Sequence, residues 1–267
     1  MKKRRILYLL PFATLILGGC TFQDVKTWVG KNVYFPVRNW VHDFINPKHS
    51  ETEEKLTEKA LLEAVSKTLL STNATAESYI DGELMQKMEF ESTKQLISNG
   101  TEFYSELVDG VTYVFALDPE DEEPEWMLFT ATEESIIGLG YTSEDLEQLK
   151  TVLHDEKNTV EYGKDYCLIT YDENSILSSI IEQYPDYEAA IRETYKASEI
   201  KASVKLTVAD GYLVNMLEYG AEVVKDATDT EGTSFVCNTG SFESKFSKIG
   251  STSVSRPEGI ESVPPEE

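Results

Sequence analysis

Cys20, near the start of the chain, has a side chain and a position suited to a covalent reaction. It follows Gly18 and Gly19, which end an apolar run that begins at Ile6, and four basic residues precede that run. A thiolate is a nucleophile, and two small neighbours leave the adjacent backbone open to a peptidase. A basic start, a short apolar run and small residues are typical of a secretory signal peptide, and the run is too short to span a bilayer.

The sequence Leu17-Gly18-Gly19-Cys20 resembles the lipobox of bacterial lipoproteins. The resemblance implies that residues 1–19 are a lipoprotein signal peptide, and that Cys20 is joined through a thioether to diacylglycerol after their removal. It therefore implies a lipid-anchored protein on the extracytoplasmic side of the cell membrane. The alternative is an ordinary signal peptide followed by an incidental cysteine.

The rest of the sequence lacks the motifs of the common catalytic sites. It contains no G-x-S-x-G, no H-E-x-x-H, no P-loop and no dinucleotide fingerprint. Its three histidines, His42, His49 and His154, belong to no such motif. The acidic turn over residues 118–125 lacks the regular aspartate spacing and the glycine of a calcium loop. We expect no enzymatic activity, no catalytic residue, no cofactor and no metal ion.

The chain is strongly acidic, with 48 Asp and Glu residues against 24 Lys and Arg residues and a net charge of −24. Removal of residues 1–19 would take away four positive charges and no negative ones. Such a surface repels nucleic acid and anionic lipid head groups at long range. We expect no nucleic-acid partner, and we interpret the charge as a source of solubility.

Two further cysteines, Cys167 and Cys237, lie in the strand-like stretches "DYCLITY" and "SFVCNTG". Exported proteins form disulfides, and closing a loop of about 70 residues would contribute roughly 4 kcal/mol. Two buried thiols acting as small apolar groups are the alternative, and the sequence leaves both open.

Residues 20–49 are rich in aromatic side chains, and their second half has the periodicity of a helix. Pro36 suits the first turn of that helix. Its apolar face, with a tryptophan from the stretch before it, is a candidate for contact with a membrane or a partner protein: Trp28, Val37, Trp40, Val41 and Phe44. An interfacial helix would strengthen a lipid anchor. A helix packed onto the folded domain or onto a membrane protein is the equal alternative.

Helices and strands then follow in an order typical of an α+β protein. A helix is predicted from Ser50 to Thr72, with Ser50 and Glu53 as a capping box, and a second helix is predicted to begin at Thr142. A pair of helices is predicted over residues 174–198.

Strands are predicted between and after these helices from the alternation of apolar and polar residues. Asp109-Gly110 and Asp210-Gly211 predict two tight hairpins. Residues 74–98 could form a strand or a helix, and the strands that follow favour the first. The polar, proline-rich residues 256–267 predict a disordered tail.

The order of elements, with "VDGVTYVFAL", "PEWMLF" and "FSKIGSTSVSRPEG", resembles bacterial lipoproteins with the LolA/LppX-like fold. The resemblance covers about residues 51–260 and implies a domain over residues 50–255. It implies a curved antiparallel sheet, a half-barrel, that wraps helices on its concave face. It also implies a cavity for acyl chains between sheet and helices.

Apolar residues of the predicted strands and helices are candidates for lining that cavity: Met85, Met88, Phe103, Phe115, Met127, Phe129, Ile180 and Met216. Such residues are ordinary core in most proteins. Two hypotheses follow. The first is a membrane-anchored protein that binds a lipid or another hydrophobic ligand without catalysis. The second is a scaffold that docks a membrane partner through residues 21–49.

Overall fold

An open, curved antiparallel sheet of eleven strands forms most of the structure. The computed structural model describes residues 55–117, 124–133, 137–172, 174–175, 177–178, 181, 185–194, 202–225 and 235–264. With its helices, this sheet confirms the predicted α+β class.

The strands follow one another as two meanders that meet in the middle of the sheet. Their order is β6-β5-β4-β3-β2-β1-β11-β10-β9-β8-β7, and every neighbouring pair is antiparallel. The strands are β1 (Ala74–Ile80), β2 (Glu83–Glu91), β3 (Lys94–Ser98), β4 (Glu102–Val108), β5 (Val111–Leu117), β6 (Met127–Thr132), β7 (Thr159–Tyr162), β8 (Tyr166–Thr170), β9 (Ser203–Ala209), β10 (Tyr212–Lys225) and β11 (Phe235–Ser247). Residues 74–98 are therefore strands, as the sequence favoured.

Three of the tight turns in this sheet are formed by Asp-Gly pairs. Asp109-Gly110 joins β4 to β5, and Asp210-Gly211 joins β9 to β10, both as predicted. Asp81-Gly82 joins β1 to β2 in the same way. In each pair both residues have positive φ, which is the conformation of a two-residue hairpin turn.

Three helices have defined bounds: α1 (Glu58–Leu69), α2 (Ser143–Leu153) and α3 (Glu188–Thr194), with a 3-10 turn at Pro185–Tyr187. The described residues 174–175, 177–178 and 181 are also helical, and Leu177 and Ile181 are buried, so helical structure occurs in both halves of the pair predicted over residues 174–198. The predicted start of α1 at Ser50 is wrong, because residues 55–57 are not helical. Thr57 is extended and its hydroxyl accepts a hydrogen bond from the Ala60 N–H, which caps the first turn. Helix α2 begins after Thr142, as predicted.

Helices α1 and α2 pack against one face of the sheet, here called the helix-side face. The buried residues of α1 recur at helical spacing, whereas the buried residues of the strands alternate. The main core that they form includes Leu61, Val65 and Leu69 of α1, Leu149 and Leu153 of α2, and Met88, Ile97, Ile169, Val204, Leu206, Leu213, Met216 and Phe246 of the sheet.

A second, smaller core lies on the opposite face, here called the tail-side face. It consists of Tyr104 and Phe115 from the sheet and Val254 and Ile260 from the chain after β11. The prediction of a disordered tail from residue 256 onward is therefore wrong as far as residue 264. Its polar composition hides two features that hold it in place: the buried Ile260, and Arg256, which pairs with a glutamate of β4.

Candidate functional site

A small apolar void lies between α1, α2 and the helix-side face. Its volume is about 20 Å³, close to the space that one water molecule needs. The surface that faces the void is apolar, and these residues line it: Val65, Leu69, Tyr141, Asp145, Leu146, Leu149, Leu206, Leu213 and Met216. The three elements thus meet without filling the space between them.

Helical and strand periodicity explain why these residues meet. Val65 and Leu69 are one turn apart on α1, and Leu146 and Leu149 are on one side of α2. On the sheet, Met216 of β10 lies opposite Leu206 of β9, so both side chains belong to the same face.

Helix α2 is the less firmly held of the two helices. It buries two residues, Leu149 and Leu153, whereas α1 buries five. At its start, the Asp145 carboxylate accepts hydrogen bonds from the backbone N–H and the hydroxyl of Thr142, at 2.7 and 2.9 Å. At its end, His154 Nε2 lies 3.0 Å from Glu58 Oε1 of α1, in an exposed pair that contributes little.

Glu218 is a buried carboxyl beside the void. It lies two residues from Met216 on β10, opposite Val204, and is 7% exposed. Burial raises its pKa to about 8. Burial also raises the pKa of the Tyr141 hydroxyl far above its ordinary value, and the charges of Glu218 and Asp145 raise it further. Tyr141 therefore lies close to Glu218, and it also lines the void.

The structure separates the residues predicted to line a cavity. Met216 lines the void, and Met88 lies in the main core on the same face. Phe115 is wrong as a lining residue, because strand alternation places it on the tail-side face beside Tyr104. Met85 is partly exposed, at the bulge between β1 and β2.

Three further candidates, Phe103, Met127 and Phe129, lie near the edge of the sheet. Phe103 packs edge-on against Phe129, with ring centroids 6.1 Å apart. Phe129 itself is 70% exposed on β6, and Met127 on the same strand is 64% exposed. The remaining candidate, Ile180, lies outside the described residues. So do the predicted lipidation site Cys20 and the predicted membrane or partner contacts Trp28, Val37, Trp40, Val41 and Phe44.

Cys167 is a free, fully buried thiol, so a bridge to Cys237 is not formed. Three strand spacings separate β8 from β11, and Cys237 lies opposite Val223, seven residues beyond Met216 along β10. The two Cα atoms are therefore much farther apart than the roughly 7 Å that a disulfide allows. Burial raises the pKa of Cys167 to about 12, which makes its thiol unreactive.

The described part of the chain contains no group of three or more His, Cys, Asp or Glu side chains that could hold a metal ion. None of its helices has both the length and the apolar composition needed to cross a bilayer.

Sequence reasoning missed the polar residues on the helix-side face. Glu218, Gln86 and Ser244 all occupy inward-facing positions of strands and are almost fully buried. The available signal was a polar residue at a position where the period of two predicts an apolar one. In "NMLEYG", for example, Glu218 follows Met216 at that spacing.

Comparison with known proteins adds no family to these observations. No protein-family model matches the chain, and no curated protein matches it.

Proposed function

We propose that this protein is a membrane-anchored extracytoplasmic lipoprotein that binds a lipid or another hydrophobic ligand without catalysing a reaction. In this proposal the sheet is a half-barrel of the LolA/LppX-like kind, with the helices on its concave face and the ligand between them. The observation that supports it is the apolar void bounded by α1, α2 and the sheet.

The size of the void means that ligand binding requires a movement. Ligand sites commonly have volumes of about 300–1,000 Å³, whereas this void holds about 20 Å³. Helix α2 is the element best suited to move, since its fully buried residues are Leu149 and Leu153, with Leu146 and Val152 partly buried. Exposing the two leucines alone costs about 3–6 kcal/mol, and each buried methylene of a ligand returns about 0.8 kcal/mol. A chain of at least about eight methylenes is therefore needed to offset the opening.

Native mass spectrometry of the protein made in a bacterial host tests ligand binding. We expect a bound amphiphile that is released by solvent extraction. The Met216→Trp protein, whose void is filled, should carry no amphiphile. The Tyr212→Trp protein, changed at an exposed position of the same strand, should still carry it. Leu149→Phe is a second filled variant in case Met216→Trp does not fold. The proposal fails if wild type carries no amphiphile, or if both filled variants carry as much as the control.

Mass spectrometry of the N-terminal peptide tests the anchor separately. We expect a chain that begins at Cys20 and carries a diacylglyceryl group. A purified protein that retains residues 1–19, or that has an unmodified Cys20, would contradict the lipoprotein assignment.

A second candidate function is docking of a membrane partner, and the edge strand β6 favours it. This strand ends the sheet order, and its consecutive residues Met127, Leu128 and Phe129 are exposed. Exposed apolar edge strands are suited to pairing with another chain. Together with residues 21–49, this edge would form the interaction surface.

Co-purification from membranes tests the docking function. Partner capture should weaken with Trp28→Ala, Trp40→Ala and Phe129→Lys. It should persist with Leu84→Lys, which changes an exposed apolar residue on β2. Capture that is indifferent to all four variants rules out this surface.

A further inference from the structure

The helix-side face carries a buried polar patch next to the void, formed by Ser78, Gln86, Glu218 and Ser244. Three of its members lie in one row across the sheet, since Gln86 opposes Ser78 and Ser78 opposes Ser244. Ser244 in turn opposes Met216, which lines the void. Glu218 lies two residues along β10 from Met216, diagonally across from Ser244. All four residues are at most 7% exposed.

Oε1 of Glu218 and Oγ of Ser244 are buried atoms of the polar patch that have no hydrogen-bond partner among the described residues. Buried polar atoms are nearly always hydrogen-bonded, and an unsatisfied one is costly. Diagonal neighbours on one face of a sheet are within reach of a long side chain. A single ligand group that lies on the helix-side face, above β10 and β11, can therefore contact both atoms.

The charges around the polar patch decide which ligand group fits. The strand lysines alternate with inward-facing residues and lie on the opposite face: Lys87, Lys94, Lys205 and Lys245. Among the described residues, the ionisable groups whose charges act around Glu218 are Tyr141 and Asp145, and β9 and β11 oppose Glu218 with Val204 and Phe242. The cation of α1 on this side, Lys67, lies at the start of β10 beside Gly211 and Tyr212. At the patch itself the carboxylates of Glu218 and Asp145 would repel a phosphate or carboxylate head group and attract a cation.

We propose that the polar patch binds the ammonium head group of an amphiphile, with Glu218 and Ser244 as its acceptors. The inference rests on the proposed function, because the apolar tail of the same molecule would occupy the space opened between α2 and the sheet. An ammonium carries three N–H donors, enough for the Glu218 carboxylate and the Ser244 hydroxyl oxygen. Burial of the pair in a low dielectric strengthens it.

Binding of an ammonium competes with the proton of Glu218, whose pKa burial raises to about 8. The ammonium binds the ionised carboxylate, so binding releases that proton. Affinity should fall about tenfold for each pH unit below the Glu218 pKa. An alkylamine keeps its own charge over this range, because its pKa is about 10.

Calorimetric titration with three C12 amphiphiles below their micellar concentrations tests the inference. The protein is the chain from residue 20 onward with Cys20→Ser, so that no attached acyl group competes. At pH 9 we expect dodecylammonium to bind at least tenfold more tightly than dodecanol, and dodecyl phosphate to bind weakest. At pH 6 the advantage of the ammonium should disappear.

Glu218→Gln should remove both the preference for ammonium and its pH dependence, and Ser244→Ala should reduce the preference several-fold. Glu161→Gln, which changes an exposed carboxylate of β7, should leave both unchanged. If Glu218→Gln does not fold, as judged by its melting curve, Ser244→Ala decides.

Equal affinity for dodecylammonium and dodecanol in wild type, or a preference that survives both patch variants, overturns the head-group assignment and leaves hydrophobic binding intact. If none of the three amphiphiles binds, the proposed ligand-binding function fails as well.

Discussion

Arg256 and Glu106 form a two-point ion pair across 150 residues of sequence. Nε of Arg256 donates to Oε2 of Glu106 at 3.0 Å, and Nη2 donates to Oε1 at 3.0 Å. The Tyr104 hydroxyl donates to the same carboxylate at 2.6 Å. The Glu106 side chain is 10% exposed, so this pair is more than a surface contact. It fastens the chain after β11 to the tail-side face.

Arg256→Ala should destabilise the protein by about 2–3 kcal/mol, because it leaves the Glu106 carboxylate buried without its hydrogen-bonded counter-charge. Urea unfolding measures the change. Lys248→Ala is the matched control, since Lys248 lies 3.9 Å from Glu89 in an exposed pair and should cost less than about 0.5 kcal/mol. Equal effects of the two variants would show that the ion pair contributes no more than a surface contact.

The same pair should make the protein sensitive to acid. Burial alone would raise the pKa of Glu106, but the hydrogen bonds from Arg256 and Tyr104 outweigh it and lower the pKa. This contribution is therefore present above the pKa of an unfolded glutamate and is lost as pH falls through the lower folded pKa. Wild type should lose more stability than Arg256→Ala between pH 6 and pH 3. Parallel curves for the two proteins would contradict this.

Glu218 should make the stability of the protein depend on pH in the opposite direction, with stability lost as the pH rises. Burial raises its folded pKa to about 8 from 4.5, so its stabilising contribution is complete below about pH 4.5 and is lost as pH rises through 8. Between pH 5 and pH 9, wild type should lose on the order of 3 kcal/mol more stability than Glu218→Gln. Glu161→Gln should follow wild type across the range. A Glu218→Gln curve parallel to wild type would mean that the carboxyl is already ionised at pH 5.

Leu213→Ala should enlarge the void. Leu213 is completely buried and lines the void, so the substitution should cost about 3–5 kcal/mol through lost burial and added cavity volume. The variant should bind a small apolar probe such as benzene more tightly than wild type. Leu84→Ala, at an exposed position, should change neither property. A Leu213→Ala protein that loses less than 1 kcal/mol would show that its neighbours collapse into the space.

Gly82→Ala should measure the strain of the turn between β1 and β2. Gly82 has a φ of +85°, and an added Cβ would meet no atom within 4 Å. The cost of about 1–2 kcal/mol should therefore come from the backbone alone. Gly220→Ala, where the nearest atom is the Ala202 Cβ at 3.9 Å, should be neutral. Equal unfolding midpoints for the two variants would contradict this.

Local patterns predicted most of the sheet. Alternation in residues 203–208 and the turns at Asp109 and Asp210 act within a few residues, so they can be read from one stretch of sequence. Asp81-Gly82 has the same chemistry, but the residues after it fit a helix or a strand equally well. The start of α1 was predicted too early because Ser50 and Glu53 form a plausible cap, whereas the structure uses Thr57.

The candidate site was predicted less well, because it depends on which distant elements meet. Of the seven predicted lining residues that the structure describes, Met216 alone borders the void. Phe115 fits the alternation of apolar residues along β5. Alternation shows which residues share a face of the sheet, but it does not show whether that face is the one covered by helices. The contact between Arg256 and Glu106 spans the whole domain, and no local pattern in a proline-rich stretch predicts it.

The pairing of β1 with β11 joins the two meanders, so the sheet has a seam between its earliest and its latest strand. During synthesis the first six strands are complete before any of the last five, but β1 has no outer neighbour until residues 235–247 have left the ribosome. Until then two unpaired edges, on β1 and β10, are open to other chains. A premature stop before residue 235 should therefore yield aggregation rather than a smaller folded protein.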